Sequence, residues 1–176
     1  MSALPAGGAI ASRRCLPVVA GGLILGACAS ALRARDPSTQ LVGEWRLDSL
    51  AVYPLSRSLP DSTRGVLARY QRTMRTTSRQ FRTGQVRVTT VYRGDGRYDH
   101  VVATRDPGQG GYHETGQWRL DAARRRIWCR NDAGRPCPHD RAVVERATAQ
   151  ELVLLLELTG RGAGLGEYFR LVRIGP

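Results

Sequence analysis

The chain contains no lysine; all 27 of its basic side chains are arginine. That excludes Schiff-base chemistry and a lysine general base, both of which need an amine that can give up its proton. Codon bias in a GC-rich genome is the plain explanation for arginine at every basic position. Histidine is scarce: His100, His113 and His139 are scattered, and none sits in a nucleophile or zinc-hydrolase motif. There is no Gly-x-Ser-x-Gly elbow, no Cys-x-x-Cys and no carboxylate pair at a spacing that suits general acid–base work. Gly94-x-Gly96 and the glycine-rich stretch Gly160 to Gly166 lack a following helix, so neither reads as a phosphate cradle. An enzyme is therefore unsupported, and neither a cofactor nor a metal is expected. No apolar run is long enough to span a bilayer as a helix, which takes about 20 residues.

The first segment reads as an address. Arg13 and Arg14 form a positive patch, and Leu16 to Ala27 then run almost without polarity, with the length of a signal-peptide core. The run ends in Leu25-Gly26-Ala27-Cys28, which resembles the bacterial lipobox: an aliphatic residue three before the cysteine, then two small residues that fit a narrow peptidase cleft. The resemblance implies lipidation at Cys28; the competing reading is an ordinary secretory leader cut nearby. Ala29, rather than Asp, follows Cys28, which by the same resemblance implies the outer membrane. Two or more acyl chains make a stable anchor where one gives only marginal binding. The expected division is a lipoprotein signal peptide at 1–27, a lipidated tether at 28–40 and a folded domain at 41–176. Loss of Arg13 and Arg14 lowers the formal charge of +12 by two.

Within that domain, Gly43-Glu44-Trp45-Arg46-Leu47-Asp48 recurs as Gly116-Gln117-Trp118-Arg119-Leu120-Asp121. In a strand, Gly and Trp two apart share a face. A glycine beside an aromatic suits a curved sheet, where the backbone bends and a ring fills the space. Strand one is placed at Leu41 to Ser49, a loop at Leu50 to Pro60, and a helix at Ser62 to Arg82, capped by Asp61 or Ser62 and stopped by Gly84. Val66, Leu67, Tyr70, Met74 and Phe81 fall on one side of that helix; Arg64, Arg72, Arg75, Arg79 and Arg82 fall on the other. Seven further strands follow at Gln85 to Arg93, Arg97 to Arg105, Tyr112 to Leu120, Arg125 to Arg130, Arg141 to Ala147, Glu151 to Thr159 and Glu167 to Ile174. A loop occupies Asn131 to Asp140. Leu152, Leu154, Leu156 and Leu158 line one face of the seventh strand, and Val153 and Leu155 the other. A strand apolar on both sides needs cover on both, and the helix is the expected cover for the second. The expected fold is all-β: an eight-stranded antiparallel up-and-down barrel with one amphipathic helix inserted between strands one and two.

These residues resemble bacterial lipocalin-like lipoproteins. The likeness rests on Gly43-x-Trp45, on Gly116-x-Trp118, on the hairpin Gly94-Asp95-Gly96-Arg97-Tyr98 and on Glu151-Leu152-Val153-Leu154. It implies that Gly43 and Trp45 close the base of the barrel, with Arg170 or Arg173 packed over Trp45. It also implies a barrel with room for one small ligand. Val88, Tyr92, Tyr98, Val102 and Trp118 are the candidate lining, with ordinary core as the alternative. The long helix after strand one departs from the lipocalin pattern.

Cys129 and Cys137 remain once Cys15 leaves with the leader and Cys28 takes lipid. In an exported domain a disulfide is the default; a site with His139 lacks a fourth ligand, and free thiols are the third reading. The arginine face, including Arg72, Arg75, Arg79 and Arg82, is either simply solvated or a contact for anionic lipid or polymer beside the anchor. Nucleic acid is not expected as a partner, because an exported chain rarely meets it. The leading expectation is a lipid-anchored binding module for a small apolar or amphipathic ligand or an envelope partner. The alternative is a filled barrel acting through its arginine face. Inhibition of host lysozyme ranks last, because lysozyme is itself basic.

Overall fold

A computed structural model describes residues 37–175. The expected signal peptide, Cys28 and most of the expected tether therefore lie outside the described residues. The chain runs α1 (Pro37–Leu41), β1 (Gly43–Pro54), α2 (Asp61–Arg82), β2 (Val86–Tyr92), β3 (Arg97–Thr104), β4 (Tyr112–Asp121), β5 (Arg126–Asn131), β6 (Val143–Ala147), β7 (Glu151–Glu157) and β8 (Leu165–Arg173). The eight strands pair in sequence order, all antiparallel, and β1 pairs with β8 to close the ring. Among the described residues no helix is long and apolar enough to cross a membrane.

Three sequence expectations need correction here. Leu41 ends a short helix rather than opening a strand, and it is buried against the core. The stretch Leu50 to Pro54, expected as loop, continues β1 along β8 past a bulge between Leu47 and Ser49. The helix begins at Asp61 after Pro60 with no side-chain cap; Asp61 instead pairs with Arg64 one turn on.

The helix also does a different job from the one expected. The β1–β2 ladder runs only from Gly43 to Arg46, after which β1 continues with β8 alone and one edge is left open. An open edge leaves amides and carbonyls unpaired. α2 lies along that edge and pairs them: Ser78 Oγ accepts from the Leu50 amide at 2.8 Å and donates to the Leu50 carbonyl at 3.0 Å, and Gln71 Nε2 donates to the Val52 carbonyl at 3.3 Å. This explains why Ser78, a polar residue, is 4% exposed, whereas Tyr70 on the expected apolar stripe is solvent-facing. α2 therefore covers β1, not the second face of β7. On that face Leu155 packs beside Gly166 and Leu55, and Val153 lines an outer-wall groove with Tyr53 and Tyr168.

The two Gly-x-Trp copies are close-packed for different reasons. Gly43 has φ +146°, and a Cβ there would overlap the Arg173 guanidinium. Trp45 is fully buried, its Nε1 donates to the Leu41 carbonyl at 2.8 Å, and Arg173 lies 4.3 Å over the ring centroid. Arg173 also donates to the carbonyls of Ala149, Val42 and Gln40 at 2.7, 3.0 and 3.1 Å. At Gly116 a Cβ would run into the Tyr98 ring and the β5 backbone. Trp118 donates Nε1 to the Arg93 carbonyl at 3.0 Å and packs on Tyr92 at 4.9 Å. Arg170, the other candidate to cover Trp45, points outward. It bridges Glu151 and Asp48 on the outer wall, at 2.7 Å each, because its register is out of phase with Leu171 and Arg173.

Candidate functional site

Ladder register fixes which side chains enter the barrel, because paired residues share a face. Across β2, β3 and β4 three inward rungs stack: Tyr92–Tyr98–Gly116, Thr90–His100–Glu114 and Val88–Val102–Tyr112. On the opposite wall, β1, β7 and β8 place Leu50, Leu154 and Phe169 on one inward rung and Val52, Leu156 and Glu167 on the next. The half near Trp45 is filled by Leu41, Leu47, Ile127, Leu152 and Leu171. All five candidate lining residues face inward. Val88, Tyr92, Tyr98 and Trp118 are buried members of the core, and Val102 packs against it.

The remaining inward positions are polar. The segment after β5 is no free surface loop. It doubles back along β5, with Arg130 bridging Pro136, the Arg141 amide donating to the Ile127 carbonyl and Cys129 bonded to Cys137. Asp140 accepts from the Cys129 amide at 3.0 Å and pairs with Arg130 at 3.3 Å. So held, His139 is carried inside, where it is 3% exposed. Its ring meets His100 edge-on at 5.7 Å between centroids and Phe169 at 5.5 Å. The three histidines are scattered in sequence, yet two of them meet here: His100 faces inward from β3, and His139 comes from the segment after β5. His113 faces out and pairs with Asp99 at 3.4 Å.

Each buried imidazole has one nitrogen engaged. His139 Nδ1 and the Tyr92 hydroxyl are 2.8 Å apart; His100 Nδ1 and the Thr90 hydroxyl are 2.9 Å apart. In either tautomer Nε2 is left with one role to fill, donor or acceptor. Among the described residues neither Nε2 has a partner. Tyr112 stacks near His100 at 5.7 Å and is 48% exposed, marking a mouth at this end. Glu114 is held by the Tyr98 hydroxyl at 3.1 Å and Asn131 at 3.3 Å. Glu167 also faces inward and has no partner among the described residues.

Burial sets the charge states. Desolvation, with a smaller push from His100, lowers the His139 pKa to about 3. His100 is lowered in the same way, partly countered by Glu114. Burial raises the Tyr92 and Tyr98 hydroxyls and the Glu167 carboxyl. Two neutral imidazoles beside protonated phenols form hydrogen-bonding heads rather than a working acid–base pair, since His139 exchanges no proton near neutrality. Among the described residues no cluster of three or more His, Cys, Asp or Glu is arranged to hold a metal. Arg72, Arg75, Arg79 and Arg82 are exposed along α2, with no acidic partner among the described residues.

The sequence shows part of this. His100 lies in phase with Tyr98 and Val102, so alternation alone assigns it inward. His139 sits in a Gly- and Pro-rich stretch with no periodicity; only the Cys129–Cys137 tie brings it in.

No protein-family model matches the chain, and no curated protein matches it. Among solved structures, a crystal structure described as a duf4847 family protein from Bacteroides vulgatus ATCC 8482 is similar, at 14% identity and a TM-score of 0.38, over 75% of this chain and 92% of that one.

Proposed function

We propose that this chain is a lipid-anchored, lipocalin-like binding protein of the bacterial outer membrane. It would face the periplasm and take a small amphipathic ligand into the end of the barrel marked by Tyr112. The address rests on Leu25-Gly26-Ala27-Cys28 following an apolar leader. The binding reading rests on one observation: two neutral imidazoles, His100 and His139, meet inside the barrel with only Nδ1 of each engaged, so that Nε2 has no partner among the described residues. A barrel meant only to be filled gains nothing from polar atoms there, because each unsatisfied group costs about 1–3 kcal/mol. A ligand with a hydroxyl or carboxyl head satisfies both nitrogens while its apolar body lies along Phe169, Leu50 and Val102. The test is a titration of the full chain in nanodiscs with a dansylated fatty acid. Saturable one-to-one binding is expected, weakened at least tenfold in His100→Leu and His139→Leu variants whose near-ultraviolet dichroism is intact. Absence of saturable binding, or equal affinity in both variants, would overturn the reading.

A second reading is a filled barrel acting through α2 on an envelope protein, anionic lipid or anionic polymer. It is favoured by the exposed, unpaired run Arg69, Arg72, Arg75, Arg79 and Arg82. Salt-insensitive association with anionic vesicles, or none, excludes that face.

A further inference from the structure

Four arginines from four parts of the fold line one hollow on the outer wall. Arg46 comes from β1, Arg82 from the end of α2, Arg87 from β2 and Arg105 from just beyond β3. The hollow holds about 320 Å³ and has Phe81 and Asp48 in its lining. Its frame is fixed by backbone bonds. The Arg105 amide donates to the Gln85 carbonyl at 2.9 Å, the Gln85 amide to the Gln80 carbonyl at 2.9 Å and the Gly84 amide to the Phe81 carbonyl at 3.0 Å. Gly84, at φ +68°, turns the chain beneath Arg105, whose guanidinium lies over it. Asp48 is the acid in the lining, and it is engaged by Arg170 at 2.7 Å from outside the hollow. Among the described residues none of the four guanidiniums has an acidic or hydrogen-bonding partner.

We propose that this hollow is a binding site for a phosphate monoester. Four arginines lining one hollow, against one neutralised carboxylate, leave an excess positive charge that a single carboxylate would not match, whereas a dianion would. Guanidinium forks bind tetrahedral oxyanions through paired N–H donors. A water takes about 30 Å³, so the hollow has room for the oxyanion together with the group it esterifies. Arginine usage that reflects codon bias alone scatters unpaired cations over the surface; it does not gather four of them from separate elements around one framed hollow whose one acid is engaged from outside. The site is separate from the barrel interior and does not depend on the ligand proposed there.

The experiment measures affinity of the full chain in neutral nanodiscs for glycerol 3-phosphate by calorimetry. In parallel, it measures association with vesicles of phosphatidic acid in phosphatidylcholine. Saturable binding is expected in at least one arm. It should weaken at least tenfold in R87Q/R105Q and less than twofold in R72Q/R75Q, which removes the same charge from the middle of α2. Binding in the glycerol phosphate arm assigns a soluble phosphate ester; binding in the vesicle arm alone assigns a lipid headgroup. Because all four arginines are exposed, unchanged thermal midpoints are expected for both variants. Equal loss in the two double variants would show diffuse charge and overturn the site, as would binding in neither arm.

Discussion

Acidification should unfold this barrel from the inside, through His139. The ring is enclosed by Tyr92, His100 and Phe169, and its pKa is held near 3 by burial. In the unfolded chain it titrates near 6.5. Above that pH both states hold a neutral ring and the term vanishes. Below it the unfolded state takes up a proton that the folded state refuses, so stability falls with pH at about 1.4 kcal/mol per unit. From pH 7 to pH 5 the loss is about 2 kcal/mol from His139 alone. His100, also lowered, adds in the same direction. Glu167 has the opposite sign: its raised carboxyl protonates first in the folded state and so offsets part of the loss as pH falls toward the unfolded value near 4.3, equally in wild type and in the variant below. Asp99 and Glu151, whose pKa values are lowered mainly by Arg93 and Arg170, lose stability only below about pH 4. The assay is urea unfolding of the disulfide-intact chain at pH 7.0 and 5.0, beside His139→Gln, which can keep the bond to Tyr92 without titrating. Wild type should lose about 2 kcal/mol or more, and the variant markedly less. Equal pH dependence in the two proteins would refute the burial of a neutral imidazole.

Other expectations follow from the packing. Arg173→Ala removes the cation over Trp45 and three bonds to backbone carbonyls, and should cost roughly 2–4 kcal/mol in urea unfolding. Gly43→Ala meets both a positive φ and the Arg173 guanidinium, and should cost about 1–3 kcal/mol by thermal melting. Reducing the Cys129–Cys137 bond should cost about 2–3 kcal/mol by chain entropy and release His139, seen as a loss of the pH dependence above. Ser78→Ala leaves the Leu50 amide and carbonyl unpaired at the β1 edge. Faster hydrogen exchange at Leu50, with about 1–3 kcal/mol lost, is expected. By contrast Arg170→Ala, at a surface pair, should cost about 1 kcal/mol or less.

Alternation and turn residues made the ring legible. Tyr98, His100 and Val102 alternate with Asp99, Val101 and Ala103, and most turns carry Gly, Asp or Pro, so strand order and face could be read locally. What escaped depends on contacts distant in sequence. β1 extends past Ser49 because β8 arrives beside it, which no local signal announces. The helix was placed well, but its role was misread from its apolar stripe; Ser78 and Gln71 look like solvated positions until an open strand edge lies under them. Arg170 and Arg173 differ only by phase, and the phase is set by register against Leu47 and Leu171. His139 needed the disulfide partner to be known before its direction could be.

The central claim is that the barrel holds a small amphipath against His100 and His139 while acyl chains fix the protein to its membrane. Native mass spectrometry of the untagged chain, released from bacterial membranes, reads both parts at once. The expected spectrum shows a mature mass beginning at Cys28 with added acyl groups, and a co-purifying small molecule that is absent from His100→Leu/His139→Leu. An unacylated chain, or a spectrum in which wild type and the double variant carry the same bare polypeptide mass, would contradict it.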